Sequence, residues 1–210
     1  MSTLEKSRCA VALLSLLALG ACGVLSPSAT PRPSFYTLDR PPDFTLPTAL
    51  APTQAPTLIV SPTHAASGFD SARIIYIHEA HRLDYFAHSE WVDPPARMLT
   101  PLLVAAAQAS GSFRTVVLTP TAATGDLRLD TEILRLQHEF QSRPSQVRFT
   151  LRVYLIENKT RRVLTWREFD TLVVATSEDA YGGVVAANRA VQTALAQAAA
   201  FLAEAVSRHW

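Results

Sequence analysis

The chain has 210 residues, with 19 Lys and Arg against 18 Asp and Glu, a formal net charge of +1, and two cysteines. Basic residues are interspersed among acids, which leaves no electrostatic footprint for nucleic acid or another polyanion. The length suits one ordinary domain with its own core, preceded by a short export segment.

Met1 to Arg8 is polar and carries Lys6 and Arg8, and Ala10 to Leu19 is an uninterrupted apolar run. This is the pattern of an export signal, and the run is shorter than the ~20 residues that cross a bilayer as a helix. It ends in Leu19-Gly20-Ala21-Cys22, which resembles the lipobox of bacterial lipoproteins. Small side chains give a signal peptidase access to the backbone, and the thiol accepts a diacylglyceryl group before cleavage frees the amine for a third chain. Several acyl chains anchor stably where one binds only marginally. Residues 1–21 are therefore read as signal peptide and Cys22 as the lipidated residue. The other cysteine, Cys9, lies in the discarded segment, so zinc and redox chemistry through sulfur are excluded for the mature chain.

Residues 22–34 form a proline-rich tether with Pro27, Pro31 and Pro33. As extended polyproline, its dozen residues reach about 35 to 40 Å. The domain is expected over residues 35–210. Phe35 to Asp39 reads as a strand, Pro41 to Pro56 as an exposed loop and Thr57 to Ser61 as a β-branched strand. Arg73–Ile77 and Arg82–Ala87 read as a hairpin, with Glu79-Ala80-His81 near its turn. Trp91-Val92-Asp93-Pro94-Pro95 punctuates the chain and suits a helix start. The helix follows over 96–109, with Met98, Leu99, Leu102, Leu103 and Ala106 on one stripe. Phe113–Leu118 is a further strand.

Three longer strands are expected over 126–140, 146–157 and 162–176. In Val147 to Leu155 the alternation is strict, with Val147, Phe149, Leu151, Val153 and Leu155 inward and Arg148, Thr150, Arg152 and Tyr154 outward. A long amphipathic helix closes the chain, capped by Ser177 or Asp179. Its stripe is Val184, Val191, Leu195, Ala198, Leu202 and Ala205, while Asn188, Arg189, Gln192, Gln197 and Glu204 face water. The fold class is α/β: a single domain with a mixed, mostly antiparallel sheet covered by two helices.

His78-Glu79-Ala80-His81 is one residue short of the helical zinc-protease motif and falls in a hairpin. With His88 it reads as surface rather than metal site. Ser89-Glu90 and Ser177-Glu178-Asp179 supply hydroxyls and acids, but no nucleophile elbow and no paired carboxylates. Gly182-Gly183 at a helix start reads as close backbone packing or a loose first turn in preference to an anion site. No catalytic residue, metal or cofactor is assigned, and an enzyme is not expected. Trp166, inside a strand, is read as core. Trp91 is open between a loop staple and an interface residue, and Trp210 between packing and fraying.

The mature chain resembles the ABC-type transport auxiliary lipoproteins, a group that includes the PqiC-like outer-membrane lipoproteins. The resemblance is carried in order by the lipobox at Cys22, Tyr36-Thr37-Leu38, Arg73-Ile74-Ile75-Tyr76 and Leu83 to His88 leading into Trp91 to Pro95. Ala109 to Phe113, Leu127-x-Leu129 and the terminal Ala-rich helix complete it. It implies a non-catalytic, outer-membrane docking component of an MCE-type lipid transport system, with an MCE-domain protein as partner. Gly23 after the cysteine, in place of the aspartate that retains such proteins in the inner membrane, favours the outer membrane by the same resemblance. The acyl chains bind the membrane, and no nucleic-acid partner is expected. Docking is expected through Trp91, Asp93, Pro94 and Pro95, by a single copy or a homo-oligomer. The alternative is a structural envelope lipoprotein that grips peptidoglycan or another envelope complex.

Overall fold

A computed structural model describes residues 32–39, 53–120 and 124–210. The signal segment, Cys22, most of the tether and the greater part of the Pro41–Pro56 loop lie outside the described residues. In chain order the strands are β1 Ser34–Tyr36, β2 Thr57–Val60, β3 His64–Ala65, β4 Arg73–Ile77 and β5 Asp84–Trp91. Helix α1, Pro95–Ala109, precedes β6 Thr115–Leu118, β7 Leu127–Glu139, β8 Gln146–Glu157 and β9 Arg162–Val174, and α2, Ala180–His209, ends the chain.

Strand β7 is the spine of the sheet. One edge pairs antiparallel with β8 along its whole length, and β8 pairs antiparallel with β9. The other edge is shared by three short parallel strands, β2 at its start, β3 at its middle and β4 at its end. Beyond β2 lies β6, and beyond β4 lie β5 and then β1. The mixed sheet covered by two helices is the expected architecture. Strand β3, only two residues long, has too little pattern to be read in advance, and β5 continues to Trp91 rather than stopping at Ala87.

The expected inward row of β8 holds: Phe149, Leu151, Val153 and Leu155 are fully buried. In β7 the inward residues are Leu127, Leu129, Thr131 and Ile133, and then the register shifts between Ile133 and Arg135. One extra residue in a period-two strand exchanges its faces, so Leu136 and His138 point inward beyond the bulge. The inward hydroxyl of Thr131 is satisfied by Thr63 at 2.9 Å, and Thr100 of α1 donates to Thr63 at 3.2 Å.

Helix α2, about 45 Å long at 1.5 Å per residue, matches strands of 12 and 13 residues spanning about 40 Å. It lies on their inward face through Ala186, Ala187, Ala190, Ala194 and Ala198, whose small side chains permit close approach. Asp179 is its N-cap, its Oδ1 accepting the Gly182 N–H at 2.8 Å, while the Ser177 hydroxyl braces that carboxylate at 2.8 Å. Two expectations are corrected here. Trp166 is 57% exposed, because its strand position pairs with Tyr154 on the outer face. Asn188 does not simply face water: its Oδ1 accepts the Asp39 N–H at 2.7 Å and its Nδ2 donates to the Thr37 carbonyl, fastening the chain after β1 onto α2.

Candidate functional site

Trp91, the expected docking aromatic, is 3% exposed and belongs to the core. It faces the inner side of the sheet with Ile74, Leu136, Val147 and Ala187, so it offers no ring to a partner. Pro94 is the N-cap position of α1 and Pro95, buried, is its first residue. Asp93 pairs with Arg97 at 3.2 Å on the solvent side. The apolar side chain this loop does present is Val92, 58% exposed. Asp93 and Pro94 follow it.

The three histidines singled out in the sequence are spread along the hairpin. His78 ends up beside Tyr76, at 5.2 Å between ring centres, and His81 takes the positive φ of the turn. His88 lies exposed further along β5. Among the described residues no group of three His, Cys, Asp or Glu side chains is arranged to hold a metal ion.

Among the described residues, a concave site lies where β4 and β7 finish and β8 and α2 begin. It is a cleft of about 670 Å³ lined by Tyr76, His78, Tyr85, Phe86, Phe140, Arg143 and Glu178. Its floor is an aromatic cluster: Tyr76 lies 4.7 Å from Phe86 and 5.8 Å, edge-on, from Phe140, which in turn stacks 4.1 Å from His138. Offset and edge-on packing of this kind suits the ring quadrupoles.

Beneath the cleft His138 is 2% exposed. Its Nε2 meets the Ser145 hydroxyl at 2.8 Å, while Nδ1 has no partner. Gly183 packs against this ring so closely that a Cβ there would stand 2.5 Å from Nδ1. Close packing is thus what the Gly183 position supplies. Burial pushes the imidazole below its usual value, with the Glu178 and Asp179 carboxylates pulling the other way. Glu178 is itself held below the usual carboxylate range by the Ser145 N–H, which donates to it at 2.9 Å. Asp179 is held low by the Gly182 N–H and the Ser177 hydroxyl. These groups build a braced recess with an aromatic floor and polar walls at His78, Arg143 and Glu178, and each carboxylate is turned onto its own donors.

Nothing in the residue pattern marks this cluster. His138 has the wrong parity for the inward face until the bulge is known, and Tyr76 comes from β4, Phe86 from β5 and Phe140 from just beyond β7. On the outer face of the β7–β8–β9 meander, Arg148 bridges Glu139 at 2.9 Å and Asp170 at 2.6 Å, and Arg152 bridges Glu132 and Glu168. That face is a solvated ladder of cross-strand pairs, which stabilises the sheet without offering chemistry.

Comparison with known proteins gives one family match: the model described as ABC-type transport auxiliary lipoprotein component fits residues 36–200. None of the curated proteins compared matches the chain. Among solved structures, protein XCC0632 from Xanthomonas campestris superposes with a TM-score of 0.73 at 19% identity, covering 83% of this chain and 97% of its own. An uncharacterized protein gives 0.60 at 14% identity, covering 82% and 97%. A more distant likeness, PelC from Paraburkholderia phytofirmans, solved as a dodecamer, reaches 0.40 at 8% identity over 68% of this chain and 89% of that one. At such identities the likeness is one of fold.

Proposed function

Since the chain belongs to the ABC-type transport auxiliary lipoprotein family, we propose that it is the outer-membrane docking component of an MCE-type intermembrane lipid transporter, acylated at Cys22 and without catalytic activity of its own. The observation that carries this reading is the family match across residues 36–200, directly behind the lipobox that ends at Cys22. The transporter supplies the driving force, and the lipoprotein supplies a surface fixed to the receiving or donating membrane. Retention in the outer membrane is supported by Gly23 at the position after the lipidated residue.

The loop from Val92 to Pro94 is the proposed contact for the MCE-domain partner. Proline-fixed backbone loses little conformational freedom on binding, so an apolar side chain presented there costs less entropy to bury. Trp91, buried in the core, takes no part in this contact. The test is a pull-down of the acylated chain from detergent-solubilised envelopes against its MCE partner and, in parallel, against purified peptidoglycan. Capture of the MCE protein, weakened by Val92→Asp with unchanged melting temperature, is the expected result. Retention on peptidoglycan alone overturns the transport role in favour of an envelope brace.

A further inference from the structure

We propose that the end of the domain bearing Phe35, Tyr85 and Tyr181 rests in the headgroup layer of the bilayer that holds the Cys22 acyl chains, so that the membrane surface is a second ligand of the folded domain. The proposal rests on the acylation of Cys22 set out above.

The first observation is where the tether joins. Ser34 pairs with Ser89 of β5, and β1 runs parallel to β5, which runs antiparallel to β4 and hence opposite to β7. That register sets Ser34 beside the finish of β5, level with the start of β4, and the Tyr36 ring stands 6.4 Å from that of Tyr181 in the first turn of α2. Only a dozen residues separate Ser34 from Cys22, a reach of about 35 to 40 Å even when extended. The surface nearest the attachment point is therefore the groove that Phe35, Tyr36 and Tyr181 line.

The second observation is what that end exposes. Phe35 is 59% exposed, Tyr181 61%, Tyr85 52% and Leu83 47%. Phe35 and Tyr181 line one groove of about 450 Å³ with Tyr36, Val185 and Arg189, and the rings of Tyr36 and Tyr181 lie 6.4 Å apart. Arg73 stacks 4.1 Å over the Tyr85 ring. Isolated exposed apolar side chains need no explanation. Phe35, Tyr36 and Tyr181 gathered with Arg189 around one groove, with Arg73 and Tyr85 stacked elsewhere along β4 and β5, have the composition of a membrane-interface belt, in which a ring takes the apolar side and its polar tip stays wet.

Charge decides the type of membrane contact. Arg143 and Arg189 have no acidic group at ion-pair distance among the described residues. Asp39, Glu178 and Asp179 stand at the same end, so the net field is weak. Contact then comes from ring insertion more than from attraction to anionic lipid, and it persists in zwitterionic membranes and high salt. A weak contact is enough, because a short tether keeps the surface at high local concentration.

The mature acylated chain carries no free thiol, so Tyr181→Cys introduces a unique one for an environment-sensitive fluorophore. Trp166→Cys, at the far end of the outer sheet face, is the control. Each protein is purified from membranes, its acylation verified by intact mass, and reconstituted into phosphatidylcholine vesicles with and without acyl-brominated lipid. The label at 181 is expected to shift to the blue and to be quenched severalfold more than the label at 166. Adding Phe35→Ser, with melting temperature unchanged, is expected to reduce that quenching. Equal quenching of both labels in acylated protein overturns the proposal. So does shielding at 181 that follows protein density rather than bromine, because the groove then meets a second copy. A chain whose mass lacks the acyl groups refutes the anchor, and the membrane contact with it.

Discussion

The single buried position that sets most of the local chemistry is His138, and two measurements address it. Gly183→Ala adds a Cβ at 2.5 Å from Nδ1. In a helix interior that substitution ordinarily stabilises by about 1 kcal/mol, whereas displacing a packed ring costs about 1–3 kcal/mol. A net loss in denaturant unfolding is expected, and a gain would show that the ring moves freely. The pH response follows from burial: with the folded-state pKa of His138 below the usual 6.5, the unfolded chain takes up the proton first. Stability from this group is complete above about pH 6.5 and declines as pH falls below it. The carboxylates of Glu178 and Asp179, lowered from 4.5 and 3.8, keep their contribution above those values and lose it in more acid solution, a separate window. His138→Gln is expected to flatten the upper decline and leave the lower one. An unaltered profile would assign the decline to other groups.

At the scale of elements, local pattern sufficed wherever one face of a strand or helix was uniformly buried. Strand β8 and the hairpin strand β4 have the expected bounds, and β7 and α2 fall within one or two residues of expectation. What escaped was set by tertiary pairing. The two-residue β3 exists because β7 has a free edge opposite Glu132 and Ile133. The bulge in β7 reverses its faces, which hid His138, and Trp166 stands outward because its neighbours on the inward face are Phe169 and Thr171. This gives a paired prediction for β9. Phe169→Ala, removing a ring that is 6% exposed and packed against Phe201 at 5.9 Å, is expected to cost about 3–5 kcal/mol. Trp166→Ala removes one cross-strand contact with Tyr154 and is expected to cost about 1 kcal/mol or less. Comparable losses in chemical denaturation would place Trp166 in a packed environment after all. The outer ladder of Arg148 and Arg152 is a different case, since exposed pairs are screened and their removal has small effects.

For the whole molecule, the sequence carried fold class and family, while the aromatic cleft was illegible because its residues converge only through the branching of the sheet at β7. The anchor and the domain are separable in physical terms. Residues Pro33–Trp210 form a compact unit of their own, with a core drawn from both helices and from strands across the sheet, and no helix among the described residues is long and apolar enough to cross a membrane. Membrane attachment on the proposed reading therefore depends on the acyl chains, and several chains bind stably where one is marginal. Cys22→Ser removes the thiol that receives the first acyl group, and the later steps of cleavage and third-chain transfer depend on that group. The expected product is a soluble chain or an uncleaved precursor, with thermal unfolding of the domain unchanged because none of its core residues is touched. Intact mass of the unsubstituted protein from membranes is the matching measurement: it should correspond to a chain beginning at Cys22 plus its acyl groups. An unmodified N-terminus beginning at another residue would remove the lipoprotein anchor, and with it the proposed placement of the docking surface at the outer membrane.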